Sequence, residues 1–226
     1  MLFRDDRFVV LDKPAGLPVH PGPRGGRSVE DWFPLLSRRK DGPWLAHRLD
    51  ADTAGCLVVA LRRAALLAAQ AAFAQGHARK TYWAIVRGAP ADTSGTIEAA
   101  LRRVSTPSGW RMQADARGQA AVTDWRLLGR AGDLAWLALF PRTGRTHQVR
   151  VHCALLGCPV LGDPVYGGGD RDGGDGGARL HLLARAIELP LQPPVAATAE
   201  PPEHMRAALI RCGWTPNPAT APTALR

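Results

Sequence analysis

A histidine, an arginine and an aspartate fall within four positions, His47, Arg48 and Asp50, just ahead of Thr53, Gly55 and the unbroken apolar run Leu57 to Leu61. A carboxylate at the mouth of a buried strand loses part of its hydration, and an adjacent guanidinium keeps it ionised. Those conditions suit a nucleophile or a base. An isolated Arg-x-Asp triplet is far more often a loop-fixing ion pair, so the assignment needs support from the rest of the chain.

Other groups with chemical potential are scattered along the sequence. Tyr82 lies in KTYWAIVRG, and Arg145 stands at or just before the start of an expected helix in RTGRTHQVRVHCALLG. A cation there gains little from the helix, whereas an anion drawn to the helix N-terminus would be favoured. His147, His152, Cys153 and Cys158 are close together, but their spacing matches no common zinc pattern and two share an apolar helix face. No metal and no cofactor is expected. The segment Gly167 to Gly177 lacks the Gly-Lys-Ser/Thr ending of a phosphate loop and reads as a flexible surface linker.

Positioning these groups requires strands before and after them. A short strand is expected around Phe8 to Leu11, then the turn-rich DKPAGLPVHPGPRGG, then a helix near Ser28, where Ser28 and Asp31 have capping-box spacing. The run LVVAL reads as a buried strand, RRAALLAAQAAFAQG as a helix stopped by Gly76, and Lys80 to Gly88 as the next strand. Alternating segments at Gly109 to Met112, Gln119 to Leu128 and Asp133 to Phe140 suggest antiparallel sheet. A helix over Thr146 to Leu156, a strand in LHLLARAIELP and a helix in PEHMRAALIRCG follow. The organisation is one domain over residues 1–212 and a frayed tail over 213–226.

Composition narrows the partners. With 46% hydrophobic and 22% charged residues in 226, the chain reads as a soluble globular protein, and no apolar run is long enough for a signal peptide or a membrane helix. Cys56, Cys153, Cys158 and Cys212 show no framework spacing and are expected as small core residues in a cytoplasmic protein. A formal charge of +9 favours a polyanionic partner. The abundance of Arg, Ala, Gly and Pro discounts that charge somewhat, because it has the look of a coding-sequence bias.

Taken together, LDKPAG, HRLDADTAG, KTYWAIVRG, GRTHQVRVH and LGDPVYG, in that order from Val10 to about Leu189, resemble the RluA-type pseudouridine synthases. The resemblance implies an α+β fold, a mixed, largely antiparallel sheet flanked by helices, and an isomerase that detaches uracil from ribose in RNA and rejoins it through C5. It places the catalytic aspartate on Asp50, the active-site tyrosine on Tyr82 and a carboxylate-pairing arginine on Arg145. Arg48 and His47 are implied at the RNA. Lys13, Lys80, Arg142 and Arg150, in or beside the motifs, are candidate contacts to RNA phosphates.

The chemistry explains these residue types. Asp50 serves whether it attacks the sugar or removes a sugar proton to give a glycal. Tyr82 offers a flat face on which a freed uracil turns, and its hydroxyl is a candidate in the loss of the C5 proton. The chain departs from its relatives at Thr53-Ala54-Gly55-Cys56, where they usually read Thr-Ser-Gly-Leu; the aspartate is untouched. LDKPAG begins so near the start that no N-terminal S4-type domain is expected, and capture of ribosomal or transfer RNA falls to the catalytic domain, as a monomer without an obligate protein partner. Two other classes compete: a non-catalytic RNA-binding or RNA-folding protein, and a hydrolase using Asp50 and His47, which would release free base. The hydrolase is the weaker of the two, because a glycoside hydrolase generally needs two carboxylates set on either side of the bond it breaks.

Overall fold

The computed structural model describes residues 1–22, 25–39, 41–107, 109–167 and 179–216. The expected flexible linker, beyond Gly167, and the tail beyond Pro216 lie outside the described residues. The opening strands are β1 (Phe3–Arg4), β2 (Phe8–Lys13), β3 (Trp44–Leu45) and β4 (Ala54–Ala60), with the short α1 (Phe33–Leu36) between β2 and β3. Every residue of β4 is buried, which is why its sequence is continuously apolar and not alternating. It pairs antiparallel with β2 along Phe8 to Lys13, so LDKPAG and HRLDADTAG emerge side by side at one end of the sheet.

Next come α2 (Arg63–Ala74), β5 (Arg79–Arg87), β6 (Ser94–Glu98), β7 (Leu101–Thr106), β8 (Gly109–Ala114), β9 (Val122–Ala131) and β10 (Leu134–Pro141). The chain closes with α3 (Gln148–Leu155), β11 (Leu182–Leu189), β12 (Val195–Thr198) and α4 (Glu203–Arg211). The main sheet runs β1-β2-β4-β11-β5-β10-β9-β6, with β12 beside β11 and β3 beside β4, while β7 and β8 form a separate hairpin. All the pairings are antiparallel except β11 with β4. The architecture is the α+β, mixed and largely antiparallel sheet with flanking helices that the sequence implies.

The parallel contact of β4 with β11 depends on Gly55. Its φ is +106°, and a Cβ there would lie 2.3 Å from the Ala184 carbonyl oxygen, so only glycine lets the two strands meet below the HRLD loop.

Two expected helices differ in extent. The segment after Ser28 forms a 3-10 turn, Val29–Trp32, and then the single turn of α1, although the Ser28 N–H does bond to Asp31 Oδ2 at 3.0 Å. The third helix begins at Gln148 and not at Thr146, because His147 takes a left-handed φ of +52° and breaks the helical path before it.

Candidate active site

Asp50 stands in the loop between β3 and β4, and the backbone on either side of it is fixed by buried groups. The Val58 N–H donates to His47 Nε2 at 3.0 Å. Burial lowers the His47 pKa to about 4, and nearby Lys80 adds to the effect, so the ring is neutral and available as that acceptor. On the other side Lys13 donates to the carbonyls of Pro14, Leu17 and Ala51 at 2.9, 2.8 and 2.7 Å. Lys13 is 1% exposed, with its pKa lowered by burial to about 8 against the pull of Asp52 and Asp50. Its expected contact with RNA phosphate is therefore corrected. The ammonium is consumed in tying the LDKPAG loop to the HRLD loop, and it is closed off from any ligand.

Four other side chains converge on the Asp50 carboxylate or stand one bond behind it. Arg150 Nη1 lies 3.3 Å from Asp50 Oδ2, and its Nε and Nη2 grip Asp163 at 2.7 and 2.8 Å. Side-chain exposure is 5% for Arg150 and none for Asp163. Burial would raise the Asp163 pKa, but the two Arg150 hydrogen bonds and the N–H groups of Val165 and Tyr166 outweigh it and bring it below the usual carboxylate range. Asp163 thus aims Arg150 at Asp50. His147 Nε2 sits 3.9 Å from the same Asp50 oxygen, and its Nδ1 lies 2.9 Å from the Tyr166 hydroxyl.

Arg150, expected at the RNA, is therefore the arginine at Asp50, and Arg145 is not. Arg145 is exposed, its Nε donating to the Ala120 carbonyl at 3.1 Å on the lip of the cleft. The physical reason is the turn at His147, which throws the residues before it outward, while the helix that follows points Arg150 inward. Gln148 anchors this turn through four hydrogen bonds, accepting from Thr143 and the Arg145 N–H and donating to Val122 and Thr123.

Tyr82 on β5 lines the same cleft as Asp50 and packs between two apolar clusters. Burial, reinforced by the negative charge of Asp50, raises its pKa, so the phenol is protonated at neutral pH. Lys80, two residues earlier on the same strand face, donates to the Thr143 carbonyl at 2.9 Å, and burial lowers its pKa to about 8. Arg48 is exposed and lines the cleft. Arg142 is exposed, is not among the residues that line the cleft, and forms a two-point pair with Asp124 at 2.6 and 2.8 Å.

The cleft measures about 1260 Å³, beyond the usual range for a small-molecule pocket. On its rim stands the β7–β8 hairpin. Trp110 stacks on His147 with ring centroids 5.0 Å apart and planes 23° apart, and the Arg103 guanidinium lies 4.5 Å from the indole centroid. Sequence reasoning assigned no role to Asp163, His147, Tyr166 or Trp110. The signal for Asp163 and Tyr166 was present, since both lie in LGDPVYG, one of the ordered motifs.

Known proteins resemble this chain over most of its length. The family model described as RNA pseudouridylate synthase matches residues 7–155. An uncharacterised RNA pseudouridine synthase of Zymomonas mobilis subsp. mobilis is 43% identical over 156 residues, 68% of this chain and 71% of that one. Ribosomal large subunit pseudouridine synthase D of Borreliella burgdorferi is 36% identical over 161 residues, 67% of this chain and 49% of that one, so this chain spans about half its length. The solved human RNA pseudouridylate synthase domain containing 4 superposes with a TM-score of 0.78 at 28% identity, covering 96% of this chain and 94% of that one. The chain belongs to the RNA pseudouridylate synthase family, among the RluA-type isomerases of uridine in RNA.

Proposed function

We propose that this chain isomerises particular uridines of ribosomal or transfer RNA, acting as a monomer in the cytoplasm, with Asp50 as the catalytic carboxylate. The observation that carries the reading is Asp50 at the end of the Asp163–Arg150 pair, facing a cleft too large for a free nucleoside alone. The name of the Borreliella relative puts ribosomal RNA first among the pools to test.

The target uridine leaves its stack and enters the cleft, which costs least in a loop or at a weak pair. Asp50 either attacks C1′ or takes the C2′ proton, and the bond from C1′ to N1 breaks. Arg150 opposes the charge that the carboxylate carries in the free enzyme and accepts its redistribution as the bond breaks. The uracil turns against the face of Tyr82 and C5 bonds to C1′, which expels the Asp50 carboxylate from C1′ in the first course or returns the proton from Asp50 to C2′ in the second; N1 gains a proton and C5 loses one. Because burial and Asp50 keep the Tyr82 phenol protonated, Tyr82 is a stacking face and hydroxyl donor and a poor acceptor for that proton. Asp50, free again once C5 has bonded to C1′, is the group that receives it.

The test is tritium release from RNA labelled at uracil C5, with ribosomal and transfer RNA assayed separately. Asp50→Asn should reduce release by about 10⁴-fold while RNA binding persists. Full turnover by that variant would remove Asp50 from the mechanism, and release from neither RNA pool by the unaltered chain would overturn the activity.

A further inference from the structure

Trp110 is placed where an isolated core residue has no reason to be. It is 40% exposed, belongs to none of the four apolar clusters, and stands on a hairpin that is separate from the main sheet. The register pairs Ser105 with Trp110 and Arg103 with Met112, so Arg103, Trp110 and Met112 share one face of the hairpin. That face is turned to the site. Met112 packs with Leu101 and Val151, and its N–H donates to the Tyr166 hydroxyl at 2.9 Å. The same hydroxyl lies 2.9 Å from His147 Nδ1, and His147 is the ring on which Trp110 stacks.

Trp110 is consequently one ring layer from the histidine that faces Asp50. A flat, exposed indole with a guanidinium against it, at the lip of a basic cleft, has the composition of a single-strand platform: the ring accepts any base and the cation takes the phosphate beside it. Arg103 rests at 4.5 Å from the ring centroid, about where a stacked base would lie, so a base that displaces it frees the guanidinium for the backbone. Arg102, on the other face, is already tied to Asp115 at 2.7 Å and is not available in the same way.

Resting on the reading of this cleft as an RNA site, we propose that Trp110 is the stacking platform for an unpaired nucleobase flanking the target uridine, with Arg103 holding the adjoining phosphate. The element selects loop or single-stranded RNA over continuous duplex and is indifferent to which base it stacks.

The experiment titrates a fluorescein-labelled oligouridylate, alone and annealed to its complement, into the full chain and into Trp110→Ala, Trp110→Phe and Arg103→Ala. Trp110→Ala should bind the single strand roughly 5- to 100-fold more weakly, and its preference for single strand over duplex should fall by the same factor. Trp110→Phe should recover most of the loss. Arg103→Ala should lower the slope of log affinity against log salt by about 0.7, and Trp110→Ala should leave that slope as it is. Equal binding by Trp110→Ala and the unaltered chain overturns the proposal, as does equal loss for single strand and duplex, which would mean that the hairpin had merely collapsed. Tritium release keeps the two readings apart. Release without a stacking effect sinks the platform alone, and a stacking effect without release from any RNA sinks the isomerase reading alone.

Discussion

The floor of the cleft buries its charges and saturates them, whereas the β7–β8 hairpin on the rim leaves its aromatic ring and several cations in water. On the floor, Arg150 is 5% exposed and every polar atom that aims it is paired; Lys13 is 1% exposed and spends three hydrogen bonds on carbonyls. On the rim, Trp110 is 40% exposed, and the Arg103 guanidinium lies against its ring with no side-chain hydrogen bond or ion pair to the described residues. A reacting carboxylate needs fixed dipoles around it, since any reorganisation during bond breaking adds to the barrier. A surface that receives different RNA loops needs the opposite, side chains that can move at little cost. Under the proposed function, the contrast would separate chemistry from capture within a few residues.

The largest expected effect tests the floor. Asp163→Ala leaves the Arg150 guanidinium buried without its two-point partner, which should cost about 3–5 kcal/mol of stability, read as a shift of the urea midpoint. Tritium release should fall with it, because Arg150 loses the orientation that presents Nη1 to Asp50. Trp110→Ala should cost about 0.5 kcal/mol, as a surface change does. Equal destabilisation by the two variants would break the comparison, for the hairpin would then be part of the same packed unit.

How much of this was legible in the sequence differs between the same two regions. The strands and the Asp50 loop were readable because β4 is buried on both faces and its apolar run has no polar interruption. The identity of the arginine beside Asp50 was not, because it turns on one backbone angle. With His147 in the left-handed region, the helix starts later than Thr146, and the inward-facing arginine becomes Arg150 in place of Arg145. A basic residue within a motif also gives no sign of whether its charge is free: Lys13 proved to be a buried loop fastener. Trp110 was hidden for a different reason. It is one aromatic in a short alternating segment, and only the pairing of β7 with β8 brings it to the cleft.

The next effect is in the pH dependence of stability. The folded pKa of His47 is about 4 and its ordinary value is 6.5, so between these limits the unfolded chain binds more protons. Stability therefore falls as the pH drops from about 6.5 toward 4, by about 1–3 kcal/mol for His47. Burial also lowers the pKa values of His147, His152 and His181, which adds to the same slope. The hairpin, residues 101–114, contains no histidine and contributes nothing to it. Urea unfolding at pH 7 and pH 4.5 measures the slope, and His47→Gln should reduce it. Lys13 acts at the alkaline end: its folded pKa is about 8 against an ordinary 10.5, so stability should rise with pH between them.

The smallest effects divide the exposed arginines. Arg48 lines the cleft and has no side-chain hydrogen bond or ion pair to the described residues, so a phosphate would meet a guanidinium with nothing to give up. Arg142 already holds Asp124 at two points, and a phosphate would have to break that pair and face the released carboxylate. Arg48→Ala should then lower the salt slope of RNA binding by about 0.7 and weaken binding several-fold at moderate salt. Arg142→Ala should change affinity by less than about twofold, since it removes a cation already compensated at the surface. Filter binding at several salt concentrations gives both numbers. Equal slopes lost at the two positions would show that position in the cleft does not govern capture, and the basic surface as a whole would have to be credited with it.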